Sequence, residues 1–448
     1  MPAERYRTAL GRLSAKTAAR LRQKSSIYLA LSLIARVLNA FGMFVAIRRF
    51  APSSFGEMSY LQATAVAVVA FCAFGVELSI NARLTRKLKE NEPLGPTILA
   101  GSALALIGAA FACVVVYIVF APQLSLSSAP GWAVVSVCVY STFMILTSLL
   151  TAISFALNAS INVGISYMLT SGIFVGFATF ANQNTSGVDL QFYFICAQLV
   201  AVPYMAIALL RRHGRLRPGN AFAYLRTVIP ATKTEIATLF AFGIKQILVV
   251  SALSFSQWLI QRKIVYGAGG TSENAIFSVG NQIFNMMTFI PLIITPLVIT
   301  RLAAAGSDVS LRRAICLRSL RLFTGIALCA CVAVFIGLRL GVPFLPPRYS
   351  AAVETGLIAS GAAAFQIMKS PFSVFFLSEL KASREIASAT AGALFMIVAT
   401  SMFDQLSPNE GTTIRLLGCA LQAIFLGAFF LLETRTRSVA PAQSVSPR

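Results

Sequence analysis

About twelve apolar stretches of roughly twenty residues follow one another along these 448 residues. A membrane-spanning helix needs ~20 consecutive apolar residues, whereas a membrane strand needs about ten residues of alternating polarity. The stretches here are long and continuous, as at 97–120 and 413–432, and 57% of the chain is hydrophobic. The sequence therefore predicts an all-α polytopic membrane protein rather than a soluble domain or a barrel.

The longest connection between spans, 211–235, lies near the middle of the chain and divides six spans from six. Paired bundles of this kind are common in transporters, with the substrate site between them near the bilayer midplane. We therefore expect two six-helix bundles around a central cavity. The predicted spans are 27–47, 58–80, 97–120, 131–156, 161–181, 190–210, 236–260, 275–300, 320–340, 353–377, 385–403 and 413–432. The predicted organisation is a cytoplasmic amphipathic basic segment at 1–26, an N-terminal bundle at 27–210, a cytoplasmic basic linker at 211–235, a C-terminal bundle at 236–433 and a cytoplasmic tail at 434–448.

The formal net charge of +22 is explained by how the basic residues are distributed among the loops. If both termini are cytoplasmic, 27 of the 37 basic residues lie on that side and 7, Arg415 among them, lie on the other. The positive-inside rule favours this orientation. The charge is thus a topology signal and an attraction to anionic membrane lipids, and no nucleic-acid partner is expected.

Three basic residues, Arg36, Lys245 and Lys369, lie deep inside predicted spans. Arg36 is nine residues into the first span, which places it about 13 to 14 Å into a hydrocarbon core about 30 Å thick. A charge at that depth persists mainly where it faces a cavity, a partner or a substrate. The common sign predicts an anionic cargo; the alternative for each residue is snorkelling or structural pairing.

Other polar residues in the spans are weaker candidates. Glu77 is the best available coupling carboxylate, although it lies near the inner end of its span and has Arg83 as an alternative partner. Trp258 is either a sugar platform or a membrane-interface tryptophan. The candidate polar lining is Asn39, Asn281, Gln282 and Asn285, with interhelical hydrogen bonding as the alternative. The basic pairs Arg48 with Arg49 and Arg262 with Lys263 lie at the predicted outer mouth, either to attract phosphates or as interface anchors.

Pro291 and Pro296 follow the polar turn in the eighth span, and we expect them to open that helix halfway. The loops on both sides are short and contain neither a phosphate loop nor a Gly-rich dinucleotide turn. There is no room in them for a catalytic domain. The sequence therefore favours a transporter over an enzyme, with no cofactor and no metal site.

Two stretches resemble the Wzx-type polysaccharide flippases of the multidrug/oligosaccharidyl-lipid/polysaccharide superfamily. The first is Ile34-Ala-Arg-Val-Leu-Asn39 with Arg48-Arg-Phe-Ala-Pro-Ser-Ser-Phe-Gly56, similar to the family's opening helix and the loop that follows it. The second is Gly280-Asn-Gln-Ile-Phe-Asn285 leading into Phe289-Ile-Pro-Leu-Ile-Ile-Thr-Pro-Leu297, similar to its proline-containing eighth helix. The resemblance covers nearly all twelve spans.

The resemblance implies a flippase of the bacterial inner membrane that moves undecaprenyl-pyrophosphate-linked oligosaccharide to the periplasmic leaflet by alternating access. It implies Arg36, Lys245 and Lys369 as basic cavity residues that compensate the pyrophosphate. The expected partners are this lipid-linked substrate, membrane lipids, and polysaccharide polymerase and chain-length proteins. The alternatives are a membrane polysaccharide polymerase or ligase and a cation-coupled drug antiporter. Against antiport, the first span carries no carboxylate.

Overall fold

A computed structural model of the chain describes residues 2–125, 127–212, 221–304, 309–341, 346–378 and 382–439. Within these ranges the backbone is mostly helical and contains no strand. Nine of the described helices are long and apolar enough to cross a membrane. The helices are α1 (Pro2–Arg49), α2 (Pro52–Cys72), α3 (Val76–Glu90), α4 (Gly95–Val115), α5 (Pro130–Ala156), α6 (Ser160–Phe180), α7 (Gly187–Arg212), α8 (Ala221–Val265), α9 (Gly270–Ala304), α10 (Val309–Gly341), α11 (Ala352–Ser378), α12 (Ala382–Ser401) and α13 (Pro408–Val439). The prediction of an all-α polytopic membrane protein is confirmed.

The helices group into two compact units. Unit 1 combines the chain up to Arg49 with Val68–Ile247, and unit 2 combines Phe50–Ala67 with the chain from Leu248 onward. Relative to the predicted bundles, the first part of α2 therefore belongs with the C-terminal helices, and the first part of α8 belongs with the N-terminal ones.

Hydrogen bonds within unit 2 explain the placement of α2. The buried Asn274 amide on α9 donates to the Gly56 carbonyl oxygen at 2.8 Å. The Trp258 indole nitrogen on α8 donates to the Thr64 hydroxyl at 3.1 Å. Because such polar groups are seldom buried without a partner, these contacts fix α2 against α8 and α9.

The second predicted span is two helices rather than one. It breaks after Cys72 because Phe74 and Gly75 both adopt left-handed backbone conformations, with φ of 49° and 60°. A right-handed helix does not continue through such residues. Small residues of neighbouring helices pack on the break: a Cβ on Gly108 would lie 2.3 Å from the Cys72 carbonyl oxygen, and one on Gly243 would lie 2.0 Å from that of Phe74.

The expected opening of the eighth span is wrong. Helix α9 continues without interruption from Gly270 to Ala304, through both Pro291 and Pro296. Each proline removes one backbone donor, and helices inside bundles tolerate this loss where neighbouring groups satisfy the freed carbonyl oxygens. The polar residues before the prolines are therefore presented by a continuous helix.

Candidate functional site

Arg36 lies in unit 1, on the part of α1 that packs against α6. Its side chain is exposed, while the adjacent Ala35 is buried. It is close enough to Tyr167 of α6 for an electrostatic interaction. Arg36 therefore lies on an exposed surface of α1.

Glu77 belongs to the same region of unit 1. The break in the second span places it in the first turn of α3, where the helix dipole favours a negative charge. Its carboxylate is near the Ser148 hydroxyl of α5 and interacts electrostatically with Tyr167. Tyr167 thus interacts electrostatically with both Arg36 and Glu77, which sequence spacing does not reveal. The role of Glu77 as a coupling carboxylate stays a prediction.

The other two predicted cations differ in what the structure shows. The Lys245 side chain lies outside the described residues. Lys369 of α11 is 5% exposed in unit 2, and its Nζ is 2.9 Å from the Gln422 Oε1 of α13 and 3.4 Å from the Glu385 Oε1 of α12. This contact is the structural pairing that the sequence allows as an alternative to substrate binding by Lys369. Binding of substrate by Lys369 stays a prediction. It requires the substrate to replace Gln422 and Glu385 as partners of the Lys369 Nζ.

Arg415, which the distribution of basic residues places on the outer side, is a buried cation. It lies two turns into α13 and is 4% exposed. Its guanidinium carbon is 3.6 Å from the ring centroid of Phe284, and its Nη1 donates to the Asn281 Oδ1. A desolvated cation–π contact contributes about 2 kcal/mol, whereas burying an ion costs several kcal/mol. Helix α13 begins at Pro408, earlier than the span predicted from 413. Arg415 therefore lies inside the helix and not at the end of a span, and a helix start at Pro408 is the signal that would have shown this.

The predicted polar stripe on α9 is partly explained by this arginine. Asn281 is its hydrogen-bond partner, which is the interhelical bonding considered as the alternative. Gln282 is half-buried and Asn285 is exposed. Asn39 on α1 is half-buried in unit 1 and so is not part of the unit 2 stripe.

The two outer basic pairs share one arrangement. The first member of each pair lies over an aromatic ring one turn earlier: Arg48 is 5.8 Å from the Phe44 centroid, and Arg262 is 5.8 Å from that of Trp258. The second member donates to a backbone carbonyl oxygen where the fifth span of the same half ends. These bonds are Arg49 to Ala181 at 3.1 Å and Lys263 to Phe403 at 2.7 Å.

This shared arrangement indicates an internal repeat that sequence identity hardly reveals. Carbonyl oxygens at helix C-termini lack intrahelical donors and attract cations, so the second basic residue of each pair satisfies one of them. Attraction of phosphate by these pairs stays a prediction.

Trp258 is neither a membrane-interface residue nor an open sugar platform. It is 5% exposed and bonded to Thr64 in the interior of unit 2. Its large ring therefore contributes to packing between α8 and α2 rather than to an exposed binding surface.

A cluster of charged residues joins α3 to α8 in unit 1. The Glu235 carboxylate accepts hydrogen bonds from Arg83 at 2.9 Å and from the Thr97 hydroxyl at 3.2 Å, and it pairs with the Lys87 Nζ at 2.8 Å. The expected Arg83 partner, Glu77, is thus replaced by Glu235. Burial raises the pKa of the Glu235 carboxyl, but hydrogen bonds from Arg83 and Lys87 outweigh it and lower the pKa to about 2.

We expect Glu235→Gln to lower the thermal unfolding midpoint of the purified protein at pH 7. The carboxyl has a folded pKa of about 2 against an ordinary value of 4.5, so its contribution is on the order of 3 kcal/mol. Because the pKa of this carboxyl is lower in the folded state than in the unfolded state, its ionised form stabilises the folded state at pH values above the unfolded-state pKa. The difference between wild type and variant should therefore shrink as the pH falls from about 4.5 towards 2.

Glu90→Gln is the matched control for this prediction. Glu90 forms an exposed pair with Arg86 on the same helix at 2.9 Å, and such surface pairs contribute less than about 1 kcal/mol. Equal unfolding midpoints for Glu235→Gln and Glu90→Gln at pH 7 would contradict a stabilising role for the cluster.

No family model matches the sequence, and no curated protein matches it. Solved structures do match. A multidrug resistance MATE family transporter of the MOP superfamily, in an inward-facing conformation, aligns with a TM-score of 0.70 at 12% identity, over 93% of this chain and 100% of the other. A MOP superfamily transporter from Pyrococcus furiosus aligns with a TM-score of 0.63 at 11% identity, over 93% and 97%. The lipid II flippase MurJ aligns with a TM-score of 0.60 at 10% identity, over 92% and 90%.

The alignments cover nearly the whole of this chain and of each solved structure, so the likeness extends over both units. At 10 to 12% identity it concerns the fold and not the residues of a site. The chain therefore has the fold of the MATE and other MOP superfamily transporters.

Proposed function

We propose that this protein flips an undecaprenyl-pyrophosphate-linked oligosaccharide from the cytoplasmic to the periplasmic leaflet of a bacterial inner membrane. The cargo serves the synthesis of a surface polysaccharide such as O-antigen, capsule or exopolysaccharide. Basic residues of the spans compensate the pyrophosphate during alternating access, while the prenyl tail remains in lipid. Arg36, Lys245 and Lys369 are the proposed basic residues, and the polysaccharide polymerase and chain-length proteins are the proposed partners.

The observation that carries this proposal is the sign of the charges inside the spans. Arg36 is exposed midway along the apolar part of α1, and Arg415 is buried in α13 with no ion pair to a described carboxylate. Intramembrane charges persist at substrate pathways and are rare elsewhere. A cationic pathway suits phosphate oxygens, which guanidinium groups bind with charge-assisted hydrogen bonds.

The similar structures support transport without choosing the cargo. One is described as a lipid II flippase, so the fold accommodates flipping of a lipid. Another is a MOP superfamily transporter whose reverse polarity of the binding pocket suggests a different function. Pocket charge is therefore a sensible basis for distinguishing functions within this fold.

The proposal is tested by reconstituting the purified full-length chain into proteoliposomes that contain a fluorescent undecaprenyl-pyrophosphate-linked oligosaccharide. We expect the labelled lipid to exchange between leaflets faster than in protein-free vesicles, as measured by the fraction accessible to an added quencher. Exchange at the protein-free rate would contradict the proposal. Elongation of the oligosaccharide by the purified protein would instead support a membrane polymerase or ligase.

A cation-coupled drug antiporter is the second candidate. It is favoured by the MATE neighbours and by Glu77, a carboxylate near Tyr167 in unit 1. Dye efflux driven by a proton or sodium gradient in the same proteoliposomes, lost in Glu77→Gln, would support this alternative. Flipping without such efflux would exclude it.

A further inference from the structure

We propose that Arg415, Asn281 and Phe284 form a binding site for a phosphate-bearing anion within unit 2. The inference rests on the proposed function, because the phosphate-bearing group would be that of the lipid-linked substrate. Binding of an anion can nevertheless be measured without transport, so the two proposals can fail separately.

The first argument is charge. Helix α13 packs against α9, α11 and α12. Three carboxylates of these helices form other contacts or are exposed. Glu385 pairs with Lys369, Glu410 accepts a hydrogen bond from the Ser407 backbone N–H at 2.8 Å, and Glu354 is exposed in the first turn of α11. Among the described residues, none forms an ion pair with Arg415. The buried guanidinium thus carries a charge that the described part of unit 2 does not neutralise.

The second argument is hydrogen bonding. The Arg415 Nε is buried and has no hydrogen-bond partner among the described residues. The Nη1 contact with the Asn281 Oδ1 satisfies only one of the five guanidinium N–H donors. A planar fork of donors matches the geometry of phosphate oxygens better than that of a single neutral acceptor. Among the described residues, the Arg415 guanidinium thus has too few hydrogen-bond acceptors and no carboxylate that neutralises its charge.

The third argument is orientation. The ring of Phe284 lies 3.6 Å from the Arg415 guanidinium carbon and restricts the guanidinium plane. Asn281 holds one edge of that plane through its side-chain oxygen. Its amide also carries two N–H donors, so rotation of the amide would turn it from an acceptor for Arg415 into a donor to the anion. The three residues therefore form an oriented donor set that an arriving phosphate group can take over.

The experiment measures how anions stabilise the purified full-length protein in detergent. The probes are inorganic pyrophosphate and undecaprenyl pyrophosphate, with sodium chloride at matched ionic strength as the reference. Arg415→Gln keeps a donor for Asn281 but removes the charge. Arg339→Gln is the matched control, because Arg339 is an exposed arginine of unit 2 whose guanidinium carbon is 5.5 Å from the Phe335 centroid.

We expect pyrophosphate to raise the thermal unfolding midpoint of wild type and of Arg339→Gln. In Arg415→Gln the apparent affinity should fall about tenfold or more, because hydrogen bonds to charged groups are lost. Arg415→Lys keeps the charge without the fork and should fall between the two. This variant keeps the test available should the glutamine variant fail to fold, since an Arg415→Lys affinity equal to that of wild type would overturn the proposal.

The remaining outcomes are equally decisive. Stabilisation by undecaprenyl pyrophosphate alone identifies the substrate headgroup as the anion. Stabilisation by both probes, or by inorganic pyrophosphate alone, identifies a general phosphate site. Wild type that responds to neither probe beyond the chloride reference, or Arg415→Gln that responds as wild type does, overturns the inference and leaves the proposed function standing. Loss of the response in Arg415→Gln, with no flipping by wild type, overturns the proposed function only.

Discussion

Replacing Gly56 with alanine is expected to prevent unit 2 from folding. A Cβ at this position would lie 1.7 Å from the carbonyl oxygen of Thr271 and 2.8 Å from the backbone nitrogen of Ala275. Both are backbone atoms at the start of α9, so the clash can be relieved only by moving one helix. Overpacking of a well-packed interior costs about 1–3 kcal/mol where side chains can adjust, and more is expected here.

The substitution lowers the stability further because Gly56 also accepts a hydrogen bond. Its carbonyl oxygen accepts from the buried Asn274 amide at 2.8 Å, and a shift of α2 would leave that amide without its partner. An unsatisfied buried group costs a further 1–3 kcal/mol or so. We expect Gly56→Ala to yield little monodisperse protein in size-exclusion chromatography after detergent extraction.

Gly325→Ala is the control in the same unit. A Cβ on this glycine of α10 would meet no heavy atom within 4 Å, and alanine favours a helix over glycine by about 1 kcal/mol. Its yield and unfolding midpoint should match or exceed those of wild type. Equal yields of the Gly56 and Gly325 variants would show that α2 does not pack on α9 as the structure has it.

Gly56 also shows how far the sequence predicts this fold. Apolar length predicts the helices and their approximate bounds, because a helix must span a hydrocarbon core of known thickness. The Phe-Gly motif was visible only as a resemblance. Its physical reason, the approach of two helix backbones, depends on residues more than 200 positions away in the chain, such as Thr271.

The break in the second span could not be predicted for a related reason. Gly75 permits a left-handed backbone, but many glycines in membrane helices remain helical. The break also needs Phe74 in the same conformation, and the packing of Gly108 and Gly243 against the carbonyl oxygens there. Hydropathy continues through the break, so the apolar pattern reads as one span.

The candidate site shows the same limit. Depth along a span identified Arg36 and Lys369 as intramembrane cations, but depth does not show what a side chain contacts. Lys369 is paired with Glu385, and the buried Arg415, assigned to a span end, has Phe284 and Asn281 as neighbours. Such pairings depend on how α9, α11, α12 and α13 pack, which a single sequence does not specify.

Neutralising two of the proposed basic residues is expected to abolish transport while leaving insertion intact. In the Arg36→Ala/Lys245→Ala double variant, the flipping rate of lipid-linked oligosaccharide should fall about 100-fold or more, because charge-assisted hydrogen bonds contribute about 1.5–3 kcal/mol each. Arg36 is exposed on α1, so its removal should leave the packing of α1 against α6 unchanged. The measurement is leaflet exchange in proteoliposomes at equal protein density.

The control removes the same net charge from the loop side of unit 2. Arg313→Ala/Arg318→Ala alters two exposed basic residues in the first turns of α10, ahead of most of its apolar run. If overall positive charge attracts the anionic lipid, both double variants should slow flipping to a similar degree and added salt should slow wild type as well. If charges within the spans compensate the pyrophosphate, only the Arg36→Ala/Lys245→Ala variant loses transport. A wild-type flipping rate in that variant would contradict the proposed role of these two residues, because the pyrophosphate would then cross without them.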